Sequence, residues 1–360
     1  MFSRPRRTVG PRDPGPEKEV EAHDDWGGVP CRVRVITRGL ALMLTLMLVG
    51  LAGQSRSSLS VPAAIATYDG FSSCVRALVL SADDRTIYGC NADGTYTTWD
   101  SRLSRARVCA SQGPYIVRAL FAHDGSKLAV VDTAGVVSLW ELVQWRRLVE
   151  IPSRGGMAKP LAFSRDCTTL ATADDLGVRL WDVTKATPSV GPELDLDGVT
   201  SLAFASDGRT LAVGTVDGTV RLWDSAQGRQ FPRFRAHGSE VISLAFAEAD
   251  RMLASCSHNE RMVRLWDVDV DAGRLLKEFD GRSAIQAFAF APGSRELATA
   301  GFDGAVRLWD VATGDSRWDL SAGDGPVTAL DFSADGATLV CGSIGALRLY
   351  RLDVSPPSTD

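Results

Sequence analysis

The chain of 360 residues carries 39 Lys+Arg against 44 Asp+Glu, a formal net charge of −5, with 45% apolar and 23% charged residues. That balance excludes a largely disordered chain, a collagen-like chain and a polytopic membrane protein, and it lacks the basic excess of a general nucleic-acid binder. Four histidines (His23, His123, His237 and His258) leave little material for a three-histidine zinc site.

Residues 1–38 hold eight positive charges against six acidic ones, with Pro and Gly between them, and predict a disordered charged leader. An uncharged run follows, from Gly39 to Gly53. As a helix it would span roughly 22 Å, against a hydrocarbon core of roughly 30 Å. Residues 39–55 therefore read as a signal-anchor or a signal-peptide helix, and both readings stay open. Cleavage would follow Ala52 or Ala63. Arg32, Arg34 and Arg38 precede the run and only Arg56 follows it closely. The positive-inside rule then keeps the N-terminus in the cytoplasm and places the rest outside. The expected location is a single-pass membrane protein, or a secreted or periplasmic one after cleavage. Alkaline phosphatase fused after Asp360, active only outside, reads that orientation. Residues 56–60 are a linker.

From residue 61 to 351 the sequence repeats. Apolar strands end in Trp99, Trp140, Trp181, Trp223, Trp266 and Trp309, each followed by Asp or Glu, with Tyr350 as a degenerate seventh. The steps are 41, 41, 42, 43, 43 and 41 residues, and a second marker (Leu80, Phe121, Phe163, Phe204, Phe246, Phe290, Phe332) keeps the same phase. A period near 42 signals a repeat architecture. Within Thr200 to Asp224, three short apolar runs are separated by Asp-Gly turns, and a fourth follows, so each unit reads as a four-stranded antiparallel meander. One such sheet cannot bury both faces, which predicts units packed face to face around an axis. Val61 to Tyr68 has strand character and should pair beside Ala346 to Tyr350, closing the ring. Residues 352–360 form a tail.

These repeats, best in Asp217 to Asp224 and Asp303 to Asp310, resemble the WD40-repeat β-propeller family, as a bacterial-type exported or membrane-anchored member. The resemblance implies an all-β, seven-bladed propeller preceded by the short apolar helix. The family's strongest blades join a His before the first strand to an Asp in the second turn. Here the turn aspartates are Asp93, Asp175, Asp217 and Asp303, while the matching His237 occurs only in the fifth repeat, where the turn holds Glu260. That mismatch predicts that the network is missing.

The tryptophans and turn aspartates read as structural. Arg179, Arg221, Arg264, Arg307 and Arg348 recur two residues before the marker and read as stems packed along aromatics, their heads near acids or solvent. The cysteines show no pairing pattern and read mostly as buried thiols. No G-x-S-x-G, P-loop, H-E-x-x-H or C-x-x-C occurs, so neither catalysis nor a cofactor is expected. The resemblance implies a non-enzymatic scaffold binding a protein or peptide; the apolar run adds membrane contact through residues 39–55 if uncleaved, and the charge balance argues against nucleic acid. The alternative is an exported propeller enzyme or small-ligand binder acting at the central channel. The fifth repeat has the longest second turn and supplies the candidate partner-binding residues His237, His258, Glu260, Arg261 and Arg282. Two histidines there predict binding that differs between pH 6 and pH 8.

Overall fold

The computed structural model describes residues 62–352, apart from 104, 112–114, 152–159, 186–188, 249–250, 258–259, 269–272 and 324. The leader, the apolar segment 39–55, the linker 56–60 and the tail from 353 lie outside the described residues, as does His258.

The fourth repeat shows why the sequence makes strands. Val199–Phe204, Thr210–Thr215, Thr219–Asp224 and Arg229–Arg235 pair in chain order. The first turn is set by Asp207, whose carboxylate accepts the N–H groups of Arg209 and Thr210, with Gly208 at φ 66. In the second turn Asp217 accepts the Thr219 N–H at 3.0 Å. Asp93 and Asp303 do the same in their own hairpins. In the third repeat the two-residue turn shifts this role from Asp175 to Asp174, which accepts the Leu176 N–H.

The sheets correct the expectation of seven four-stranded blades; the helix expected over 39–55 lies outside the described residues. Five sheets are four-stranded antiparallel blades. The first and seventh repeats instead share one six-stranded sheet, through the long strands Ala64–Leu80 and Thr338–Arg351. Thr338–Arg351 bends back at Ile344-Gly345, where Gly345 has φ 81, and the Leu352 N–H returns to the Ala337 carbonyl. Ala64 to Asp69 pairs antiparallel with Ala346 to Tyr350, as the strand character of Val61 to Tyr68 predicted. No α-helix occurs among the described residues; Pro292–Ser294 forms a 3-10 turn. No helix there is long and apolar enough to cross a membrane.

The core lies between consecutive sheets. Trp266 packs on Phe234 of the preceding blade at 5.0 Å between ring centroids, and Trp309 on Phe279 at 5.7 Å. Trp99 meets Tyr68 edge-on at 6.0 Å, so the N-terminal strand supplies the aromatic that Phe234 and Phe279 supply elsewhere. Burying such a ring contributes roughly 4–6 kcal/mol gross.

The indole N–H groups divide by what faces them on the second strand. Trp181 donates to Thr172 at 3.0 Å, Trp266 to Ser255 at 2.8 Å and Trp309 to Thr299 at 2.9 Å. Val130 and Val213 hold the matching positions opposite Trp140 and Trp223, whose indole nitrogens are buried without a partner. Val213→Thr keeps the shape and supplies the acceptor. It should stabilise the chain by about 1 kcal/mol; a melting temperature equal to or below wild type would refute the pairing.

Candidate functional site

Because successive strands are antiparallel, the turns between second and third strands emerge at the same end as the connections between repeats. Backbone bonds tie the two together at this turn face. The Val216 N–H donates to the Gly198 carbonyl, that of Phe302 to Ala284, that of Thr133 to Tyr115 and that of Gly281 to Arg261.

In the fifth repeat this face is anchored by a polar chain running into the core, which corrects the expectation that no blade would hold it. Trp266 Nε1–H donates to Ser255 Oγ at 2.8 Å, and Ser255 lies 2.7 Å from His237 Nε2. His237 Nδ1 lies 2.9 Å from Glu260 Oε2. Arg264 Nη1 also lies 2.9 Å from Nδ1, and it bonds Glu260 directly at 2.7 Å; with that pair made, Nδ1–H donates to the carboxylate and the Ser255 hydroxyl donates to Nε2. Glu260 also accepts the Gly238 N–H at 3.1 Å and pairs with Arg264 at 2.7 Å, and Arg264 Nε reaches Glu278 at 2.7 Å. Glutamate replaces the aspartate of the pattern because the turn is one residue longer: Cys256 pairs with Val263, seven positions on, where Gly214 pairs with Val220, six on.

The geometry fixes the charges. Burial holds His237 below its ordinary value, against the opposing pull of Glu260. Burial alone would raise Glu260, but the bonds from His237 and Gly238 and the charge of Arg264 bring it below its ordinary value. His237 is 2% exposed, so its ring cannot meet a partner, and burial favours its neutral form. Glu260 is committed to the same network. Arg261 and Arg282 are exposed and lie on adjoining connections, with Arg282 paired to Asp319 at 2.7 Å. The fold thus leaves Arg261 and Arg282 at the surface on adjoining segments, buries His237 and holds Glu260 half-buried above it.

The recurring arginines act in the same way as Arg264. Arg179 stacks 5.0 Å from the Trp181 ring centroid and pairs with Asp174 at 2.8 Å. Arg307 pairs with Asp303 at 2.7 Å and donates to the Gly281 carbonyl. The described cysteines are all unpaired thiols, four of them buried.

Sequence reasoning missed the apolar side chains of this face. Tyr115, Leu176, Val216, Phe302 and Ile344 are 50–69% exposed, and all lie on its turns and connections. Among the described residues the turns of the opposite end expose Val143 alone, and Ile65, Val108, Phe231, Leu275 and Leu276 are exposed along the outer strands. The signal was present in the sequence: an apolar residue within a turn otherwise built from Asp and Gly.

Beneath the face, the first strands of the repeats surround a channel. Arg118, Ala119, Leu120, Pro160, Leu161, Ser201, Leu202, Ile242, Ser243 and Leu244 line a cavity of about 170 Å³. Among the described residues no cluster of His, Cys, Asp and Glu has the arrangement of a metal site.

The WD40 family (WD domain, G-beta repeat) matches residues 194–224, 228–267, 273–310 and 314–346. Periodic tryptophan protein 2 of Arabidopsis thaliana is 26% identical over 253 residues, which are 66% of this chain and 27% of that protein. Transcription factor unc-37 of Caenorhabditis elegans is 25% identical over 283 residues, 75% of this chain and 45% of that protein. The chain thus spans less than half the length of these relatives. A chain in the crystal structure of the Mitotic Checkpoint Complex superposes with a TM-score of 0.71 at 19% identity, covering 86% of this chain and 98% of that one. Four stretches of the chain thus match the WD40 repeat, and the fold is an all-β propeller built of four-stranded antiparallel blades. Both relatives are eukaryotic, which gives no support to a bacterial-type member.

Proposed function

We propose that the chain is a non-enzymatic interaction scaffold whose turn face binds a protein or peptide. The observation that carries this is the set of exposed apolar residues on the turns and connections of that face, with Arg261 and Arg282 beside them, whereas among the described residues the turns of the opposite end expose Val143 alone. Apolar anchors ringed by arginine are the usual makings of an interface. The cavity lining, one arginine with serines and apolar residues, suits a scaffold better than an enzyme at the channel. The names of the compared proteins, a transcription factor and a chain from a complex, agree with such a role. Display of the repeats outside the membrane rests on the arginine asymmetry around residues 39–55.

The test is capture of the native partner by the wild-type chain and by variants. Val216→Glu with Phe302→Glu should abolish capture. Arg261→Ala and Arg282→Ala should each weaken it by about 1–3 kcal/mol. Val143→Glu should leave it unchanged. Capture that survives the turn-face changes and fails with Val143→Glu would move the site to the other end.

A further inference from the structure

The turn-face reading leaves one charged group without a role. Arg118 is the third residue of the strand Ile116–Phe121, which enters the channel from the turn face, and its side chain lines the 170 Å³ cavity. Among the described residues its guanidinium makes no hydrogen bond and no ion pair. A guanidinium has five donors, and half-buried Arg118 offers them to whatever enters the cavity, water or a ligand. Arg76 stands close enough for its charge to repel that of Arg118 and is anchored by Nε to the Ile116 carbonyl at 3.3 Å. Burial and Arg76 both weigh against the Arg118 charge, and Glu240, just before the first strand of the fifth repeat, is the carboxylate that favours it. Two like charges against one at a channel mouth leave a net positive site.

The rest of the lining defines what fits. Leu120, Leu161, Leu202, Ile242 and Leu244 form apolar walls, with Ser243 beside them. The volume would hold about five waters. It therefore suits an oxyanion on a short apolar stem better than a large ligand.

We propose that the Arg118 cavity is an oxyanion site taking the carboxylate or phosphate group of an acidic side chain on the bound partner. This deepens the turn-face reading, since the strand that carries Arg118 begins at that face, directly after the exposed Tyr115. The shared chemistry is a planar or tetrahedral oxyanion offered to a fork of donors.

The site can be tested without the partner. The full-length chain is titrated separately with sodium phosphate and sodium acetate, with sodium chloride holding ionic strength constant, and the melting temperature is followed. A saturable rise with phosphate or acetate is expected. A response to acetate identifies a carboxylate as sufficient, and a response to phosphate alone identifies a phosphorylated side chain. Arg118→Gln should weaken the apparent affinity by about tenfold or more. Glu240→Gln removes the opposing charge and should tighten it by about threefold, a gain that a misfolded variant could not produce. Val216→Glu with Phe302→Glu should leave the titration unchanged, so the cavity and the apolar face fail independently. No saturable response to either ion, or identical titrations for wild type, Arg118→Gln and Glu240→Gln, would overturn the proposal.

Discussion

A chain beginning at Phe71 should melt roughly 10 °C below one beginning at Gln54. The shorter chain lacks Ala64 to Asp69, which pair with Ala346 to Tyr350. It also lacks Tyr68, whose ring covers the edge of Trp99. Trp99 is 1% exposed in the intact chain, and Leu347 and Leu349 are equally buried under this strand. Removing an aromatic contact of this kind costs about 3–5 kcal/mol, and each kcal/mol moves the melting temperature by about 2–4 °C in a domain of this size. The truncation also bares the edge of Ala346 to Tyr350, so the shorter chain should aggregate more readily. Equal melting temperatures for the two chains would show that the N-terminal strand adds nothing to closure.

His237→Ala should destabilise the fold by about 2–4 kcal/mol at pH 8. The imidazole is buried between two partners, and its loss leaves the Ser255 hydroxyl without its acceptor in a site closed to water. Ser255 must then reorient, which disturbs the indole bond from Trp266. The effect carries a pH signature. Burial lowers the native affinity of His237 for a proton, so the unfolded chain takes one first as the pH falls below about 6.5. The contribution of His237 is therefore fully present above that pH and declines below it. The gap in stability between wild type and His237→Ala should narrow from pH 8 to pH 5. A gap that stays constant or widens would mean that the ring is not held neutral. Glu260 does not mask the signature, because its own hydrogen bonds keep it ionised across this range.

The repeat phase was legible in the sequence because the residues that set it act locally. A tryptophan closes each third strand, and an aspartate takes the N–H groups of its own turn, so spacing alone reveals the strands. The pairing of Ala64 to Asp69 with the last repeat was legible for a related reason: the seventh repeat lacked a fourth strand, and an unused strand stood before the first. The fusion of the first and seventh repeats into one sheet was not legible, because it depends on how two strands distant in sequence continue through their bends.

His237 and Glu260 were both visible as candidates, yet the sequence suggested a surface pair and a missing network. Only the fold shows that the extra residue in the turn lets the longer carboxylate reach a ring buried behind it. Likewise, Tyr115, Leu176, Val216, Phe302 and Ile344 are scattered over some 230 positions, each an unremarked residue in its own turn. They become one surface because every second turn and every connection leaves the sheets at the same end. Arg118 is a third case. In sequence it is one arginine in the strand Ile116–Phe121; in the fold it shares a channel with Arg76, Glu240 and Ser243 from other repeats. Periodicity determines what each repeat is, but what the repeats hold between them is decided by the ring that brings residues about 40 positions apart, or multiples of that, to the same axis.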